Sequence, residues 1–306
     1  MKRYALLFLF LTGCNNGGNE TIDLYNSKAL FKNSEAEEII IPILKEDIRA
    51  IEKLMLSNSN LATYQEPKYG SSLVHFAIRK RKCESLKKLL KFGADPDLKD
   101  VYGETPLFEA IYTAKSFNSD LRKCIVYLLE NGADPNAENA SEMEKAKDSI
   151  LEKGTSLLML ASSRSYDVSK LLIEYGANID YKTKSNRTSA VISLLTKNVE
   201  TAHLLIVENR AKVTESFSAN FLLNNSSNGL ENSNLNKTMN RELFPIDLLS
   251  NWIFPIGSDK HLLKMEIVKE FERQGLDYFG REIPNRTVEQ IEQLYPKTWK
   301  DYLKKY

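Results

Sequence analysis

The chain has 306 residues, enough to bury one large domain or two small ones. Lys and Arg total 42 against 41 Asp and Glu, so the bulk basic charge that draws a protein to nucleic acid is absent and no nucleic-acid partner is expected. Three His and three Cys leave few of the side chains that build metal centres and nucleophilic sites, and no cofactor or metal is expected.

Met1-Lys2-Arg3 is a basic start, and Tyr4 to Leu11 is an apolar run. The run is too short to span a bilayer, which needs roughly 20 residues. This order describes a secretory signal peptide. Leu11-Thr12-Gly13-Cys14 then resembles the bacterial lipobox at all four positions. The resemblance implies a signal peptide over 1–13, cleavage before Cys14 and acyl chains, palmitate among them, on Cys14. Cleavage removes Lys2 and Arg3 and leaves a net charge of −1. Asn15 to Asn19 is rich in Asn and Gly, and residues 14–34 read as a flexible tether. Asn16, rather than Asp, at the second mature position favours the outer membrane.

Ile48 to Leu61 carries a helical apolar pattern suited to the second helix of a terminal cap. A repeating pair of blocks follows. Gly70 to Ala77 (GSSLVHFA) recurs as Gly103 to Ala110 (GETPLFEA), 33 residues later, and as Gly154 to Ala161 (GTSLLMLA). Thr105 suits a helix cap and Pro106 a first helical turn. Leu86/Leu89/Leu90, Ile125/Leu128/Leu129 and Val168/Leu171/Leu172 each place apolar residues on one helix face. Gly-Ala-Asp or Gly-Ala-Asn closes each helix at Gly93, Gly132 and Gly176, where a positive φ is expected. Fainter copies follow: Thr188 to Leu194 with Glu200 to Val213, where Arg210 stands in the glycine position, and Phe244 to Leu249 with Glu266 to Asp277. Val288 to Tyr302 is an amphipathic segment interrupted at Pro296.

These blocks resemble the ankyrin repeat, whose consensus D-x-x-G-x-T-P-L-H-x-A is met by Asp100 to Ala110 with Phe108 in the His position. The resemblance implies an all-α repeat solenoid of helix-turn-helix units with short β-hairpin fingers and degenerate capping repeats. The repeat domain is placed at 35–285, with its best copies over 69–182, and a C-terminal capping helix at 286–306. His75, at the consensus His, is expected to hydrogen-bond within the stack. The pattern breaks at three places: a longer inter-helix turn over 114–120, an insertion over 139–153 and an Asn/Ser-rich loop over 224–240. The Gly103-to-Gly154 step is 51 residues, which locates the second of these.

No Gly-x-Ser-x-Gly, His-Glu-x-x-His, phosphate-binding loop or Cys-x-x-Cys occurs, so no enzyme is expected. With Cys14 lipidated, Cys83 and Cys124 remain. Export permits a disulfide between them, but their different offsets from Gly93 and Gly132 make two free thiols the default reading. The ankyrin resemblance implies a monomeric, non-catalytic binder of another protein, using finger tips and first-helix faces. It assigns Lys99, Val101 and Tyr102 to one finger and Tyr181, Lys182, Lys184 and Arg187 to another. Phe108 and Met159 are expected to add apolar character beside them. With the lipobox, this implies an envelope scaffold held to a membrane through Cys14 and facing the periplasm or cell surface. Immunity against a secreted toxin is one such role. A structural role in envelope assembly is the alternative, and an enzyme with a site in the insertions is a more distant one.

Overall fold

The computed structural model describes residues 29–113, 119–138, 152–218 and 242–304. The signal peptide, Cys14, most of the tether, the insertion up to residue 151 and the 224–240 loop lie outside the described residues. The chain divides into two compact units, one up to Leu157 and one from Leu158.

The first unit holds three helix pairs: α1 (Glu37–Lys45) with α2 (Ile48–Ser57), α3 (Leu73–Arg79) with α4 (Cys83–Lys91), and α5 (Pro106–Thr113) with α6 (Ser119–Glu130). Three of these helices are capped by side chains, among them the start expected at Thr105. Asp47 accepts from the Ala50 N–H at 3.0 Å, Ser72 from His75 at 3.3 Å and Thr105 from Phe108 at 3.2 Å. α3 and α5 are short and largely enclosed, with Leu73 to Ile78 and Pro106 to Ile111 all buried, whereas α1 leaves Glu37, Glu38 and Ile41 exposed. The second helices are amphipathic, with Leu86 and Leu89, then Ile125 and Leu128, fully buried. Gly93 and Gly132 end them at φ of +84° and +90°. The N–H groups of the following alanines return to Leu89 and Leu128 at 3.1 and 3.0 Å, which satisfies carbonyls a helix end leaves open.

Cys83 and Cys124 are joined in a disulfide with their Cα atoms 4.9 Å apart, which corrects the expectation of free thiols. α4 and α6 lie side by side, and a two-residue offset amounts to only about 3 Å along a helix axis. Both cysteines also point into the shared interior, at 5% and 0% exposure.

The second unit opens within α7 (Leu157–Ser162), which pairs with α8 (Tyr166–Glu174). α9 (Ser189–Leu195) pairs with α10 (Val199–His203), which runs on as a π-helical turn over Leu204–Glu208. The π turn has a simple origin. Eleven residues separate the cap Ser165 from Gly176, but twelve separate Asn198 from Arg210, and the wider turn takes up the extra residue. The closing bond changes accordingly: Ala177 returns to Leu172, whereas Ala211 returns to Leu205. Arg210 adopts φ +56° in the glycine position.

The two-residue strands β1 (Phe217–Ser218) and β2 (Glu242–Leu243) pair antiparallel. Then come α11 (Pro245–Leu249) and α12 (Asp259–Arg273), which ends at Gly275 with φ +87°. Lys264 is buried in α12, donates to the Trp252 carbonyl at 2.9 Å and has its pKa pushed down to about 7 by burial. In place of one capping helix stand two, α13 (Asn285–Leu294) and α14 (Trp299–Leu303), because Pro296 lies between them. Tyr302 closes this end: its hydroxyl donates to the Phe254 carbonyl at 2.5 Å, and its ring stacks on Tyr295.

Candidate protein-binding surface

The finger after α4 is held by side chains rather than by a strand ladder. Asp95 accepts from the Asp97 N–H at 2.8 Å, and Asp100 accepts from Tyr102 and Glu104 at 2.9 and 3.1 Å. Among the described residues, apart from the β1–β2 pair, the fingers show only isolated bridges, at Gln65–Ser72 and Glu138–Ser156; the second stands at the base of the 139–153 insertion. Fingers are also tied to each other. The Val101 N–H donates to the Tyr69 carbonyl at 3.0 Å, and the Gln65 amide donates to the carbonyls of Gly70 and Lys99 at 2.6 and 2.7 Å. Gly70, at φ +66°, lies so close that a Cβ there would sit 3.0 Å from the Val101 nitrogen. Asp97 accepts from the Asp134 N–H at 3.0 Å. Burial raises the Asp97 pKa despite that bond.

The Asp of the consensus is missing before Gly70, and Glu66 takes its place from one residue earlier. Its longer side chain accepts from the N–H groups of Lys68, Tyr69 and Ser71 at 2.8, 2.9 and 3.1 Å. In the second unit Thr183 fills the same position, accepting from Arg187 N–H at 3.3 Å, and Asn186 takes the positive φ of the missing glycine. Asp180 accepts from the Lys212 N–H at 3.0 Å, the counterpart of Asp97 with Asp134.

On this frame the assigned residues separate into two groups. Lys99 and Val101 are exposed, Val101 at 61%, and Tyr102 is half-buried beside them. In the second unit Lys182 and Lys184 are exposed and Tyr181 is half-buried. Lys182 pairs with Glu215 at 2.5 Å, and this bond lowers the Glu215 pKa. Phe108 and Met159, however, are core residues at 2% and 0% exposure, and Arg187 is buried at 5%. Phe108 and Met159 therefore add no apolar surface. They lie in first helices that are enclosed on all sides, and Phe108 stacks on Tyr112.

His75 behaves as the repeat resemblance implies. Its Nδ1 accepts from the Ser72 N–H at 3.3 Å, which leaves the proton on Nε2 to reach the Glu104 carbonyl, also at 3.3 Å. Burial pushes its pKa down to about 4, against the opposing influence of Glu109. One feature of the first helices went unread in the sequence. Arg79 on α3 pairs with Glu109 on α5 at 2.6 Å, at 12% and 7% side-chain exposure, and also donates to Ser71 at 2.9 Å. Glu109 occupies the variable position of the consensus, but Arg79 lies two residues beyond the consensus Ala77, so the two stand 30 rather than 33 residues apart and no fixed-register motif marks the pair.

Among the described residues no group of three or more His, Cys, Asp or Glu is placed to hold a metal ion, and no helix is long and apolar enough to cross a membrane. Residues 40–139 match the family described as ankyrin repeats (3 copies), and residues 153–184 match a further ankyrin repeat. The chain is also similar to the human SH3 and multiple ankyrin repeat domains protein 2, at 27% identity over 166 residues. That match takes in 45% of this chain but only 8% of the human protein. The hairpins, caps and closing glycines agree with those matches, and the chain carries ankyrin repeats of the all-α, solenoid-forming class.

Proposed function

We propose that this protein is a non-catalytic scaffold of a bacterial envelope, held to a membrane through a lipid on Cys14, that binds another protein with its repeat fingers. The observation that carries the binding reading is Val101. A large apolar side chain stands 61% exposed on a finger whose backbone is fixed from both sides by Asp100, Tyr69 and Gln65. A pre-ordered contact residue costs little conformational entropy on binding, and Tyr102 beside it is of a type enriched at interfaces. The human relative's name also records multiple ankyrin repeat domains, and such repeats support a protein partner without identifying one.

The location rests on the lipobox at Leu11 to Cys14 and gains support from the Cys83–Cys124 disulfide, since such bonds persist in oxidising compartments. Fractionation of cells fed labelled palmitate tests the anchor. The native chain is expected in the membrane fraction with label, and Cys14→Ala in the soluble fraction without it. Soluble, unlabelled native protein would overturn the anchor and leave the binding reading standing.

A further inference from the structure

The near-neutral total charge of the chain hides an uneven distribution. The outward side of the second helices in the first unit is basic. Arg49 and Lys53 are exposed on α2, Lys87 and Lys91 on α4, and Arg122 and Lys123 on α6. The helices are tied so that these side chains share one side. Lys88 of α4 pairs with Glu52 of α2 at 2.8 Å. Tyr127 of α6 donates to Glu84 of α4 at 3.1 Å, and the Lys87 ammonium sits 4.7 Å from the Tyr127 ring centre. Counting Lys88, seven basic side chains stand against Glu52, Glu84 and Glu130 on the described part of this face, a surplus of four. Setting aside the Lys88–Glu52 pair leaves six against two, the same surplus.

The second helices of the second unit carry no such surplus. On α8, α10 and its π turn, Asp167, Glu174, Glu200 and Glu208 are exposed against Lys170. On α12 the exposed Lys260, Lys269 and Arg273 are matched by Asp259, Glu266 and Glu272, so among the second helices the basic surplus belongs to the unit that follows the tether. On α2 it is joined by Leu56, which stands 71% exposed three residues beyond Lys53 on the same stripe.

We propose that this face of α2, α4 and α6 lies on the anionic surface of a lipid bilayer. Each surface Lys or Arg gains about 1 kcal/mol near anionic headgroups. Long basic side chains beside an isolated apolar one match what an interface demands, with Leu56 dipping below the headgroups and the ammonium groups at their level. Charge complementarity favours anionic headgroups over a neutral surface. The apolar Leu56 favours lipid over nucleic acid, whose phosphates offer it no partner. The proposal uses the lipid anchor only to say which surface is nearby, because a single acyl chain binds weakly and a basic patch is the usual second signal.

The test uses the chain from residue 14 onward with Cys14→Ser, which keeps every described residue and carries no lipid. It is sedimented with vesicles of equal parts phosphatidylglycerol and phosphatidylcholine, and with phosphatidylcholine alone. Binding to the first is expected, with loss on phosphatidylcholine, loss in about 1 M salt, and at least a tenfold weakening in K87E/K91E. Leu56→Ser should weaken binding with no change in salt dependence. No sedimentation with anionic vesicles overturns the proposal, as does equal binding by K87E/K91E with an unchanged melting profile. Tighter binding to single-stranded DNA than to anionic vesicles would assign the face to nucleic acid instead. Loss of palmitate labelling at Cys14 in cells removes the anchor and leaves these outcomes unaffected.

Discussion

The imidazole of His75 reaches from one repeat to the next, donating from Nε2 to the backbone oxygen of Glu104 at 3.3 Å. Because Nδ1 is already an acceptor for Ser72, the ring is held neutral, and burial pushes its pKa down to about 4. A folded pKa below the unfolded value of about 6.5 means that the unfolded chain takes up the proton first. The associated stability is fully present above pH 6.5 and is lost as the pH falls toward 4, by an amount on the order of 3 kcal/mol. Urea unfolding across that range should show a steeper decline for the native chain than for His75→Gln. Parallel declines would mean that the ring protonates in place.

Gly70 and Gly93 both have positive φ, but only Gly70 is crowded, with the Val101 nitrogen 3.0 Å from its missing Cβ. Gly93→Ala is expected to lose about 1 kcal/mol for the left-handed backbone alone. Gly70→Ala should lose about 1 kcal/mol more, because backbone rather than a flexible side chain must move. Equal losses in urea unfolding would show that the finger yields freely and is not pre-ordered.

Glu109 and Arg79 form a pair that is almost out of water. Removing one charge strands the other, so Glu109→Gln should lose about 3 kcal/mol and Arg79→Met with Glu109→Leu considerably less. Thermal unfolding of both variants checks the order. A milder effect from the single change would mean that water reaches the guanidinium.

The Cys83–Cys124 bond closes a separation of 41 residues, for which chain entropy gives roughly 2–4 kcal/mol. Alkylation of the unfolded, unreduced protein should label neither cysteine, and Cys124→Ser should lower the unfolding midpoint by a corresponding amount. Labelling of Cys83 before reduction would contradict the pairing.

The repeats were legible wherever a residue type is required by the backbone. Gly93, Gly132 and Gly176 take the positive φ they were assigned, and Thr105 caps its helix. Even Arg210 in place of glycine was read correctly. What escaped depends on distance in three dimensions or on side-chain length. Glu66 does the work of an aspartate from one residue away, a substitution invisible to a fixed-spacing motif. The extra residue before Arg210 alters spacing by one, too little to announce a π turn. The disulfide turns on how two helices lie side by side, and offsets counted along each chain segment gave the wrong expectation. Phe108 and Met159 were placed at the surface because the consensus position lies on the first helix, but that helix is enclosed all round. The exposure of Lys99, Val101, Lys182 and Lys184 was legible from register alone, since finger tips project by construction.

If the ordered fingers hold a protein, that protein can be captured on them. Cross-linking in living cells with a C-terminally tagged chain, followed by purification and quantitative mass spectrometry, tests it most directly when run beside Val101→Asp and Tyr102→Ala. One stoichiometric protein is expected, present with the native chain and reduced at least tenfold in both variants, which should fold normally because neither side chain belongs to the buried core. A partner retained equally by all three chains, or none enriched under any growth condition, would contradict it.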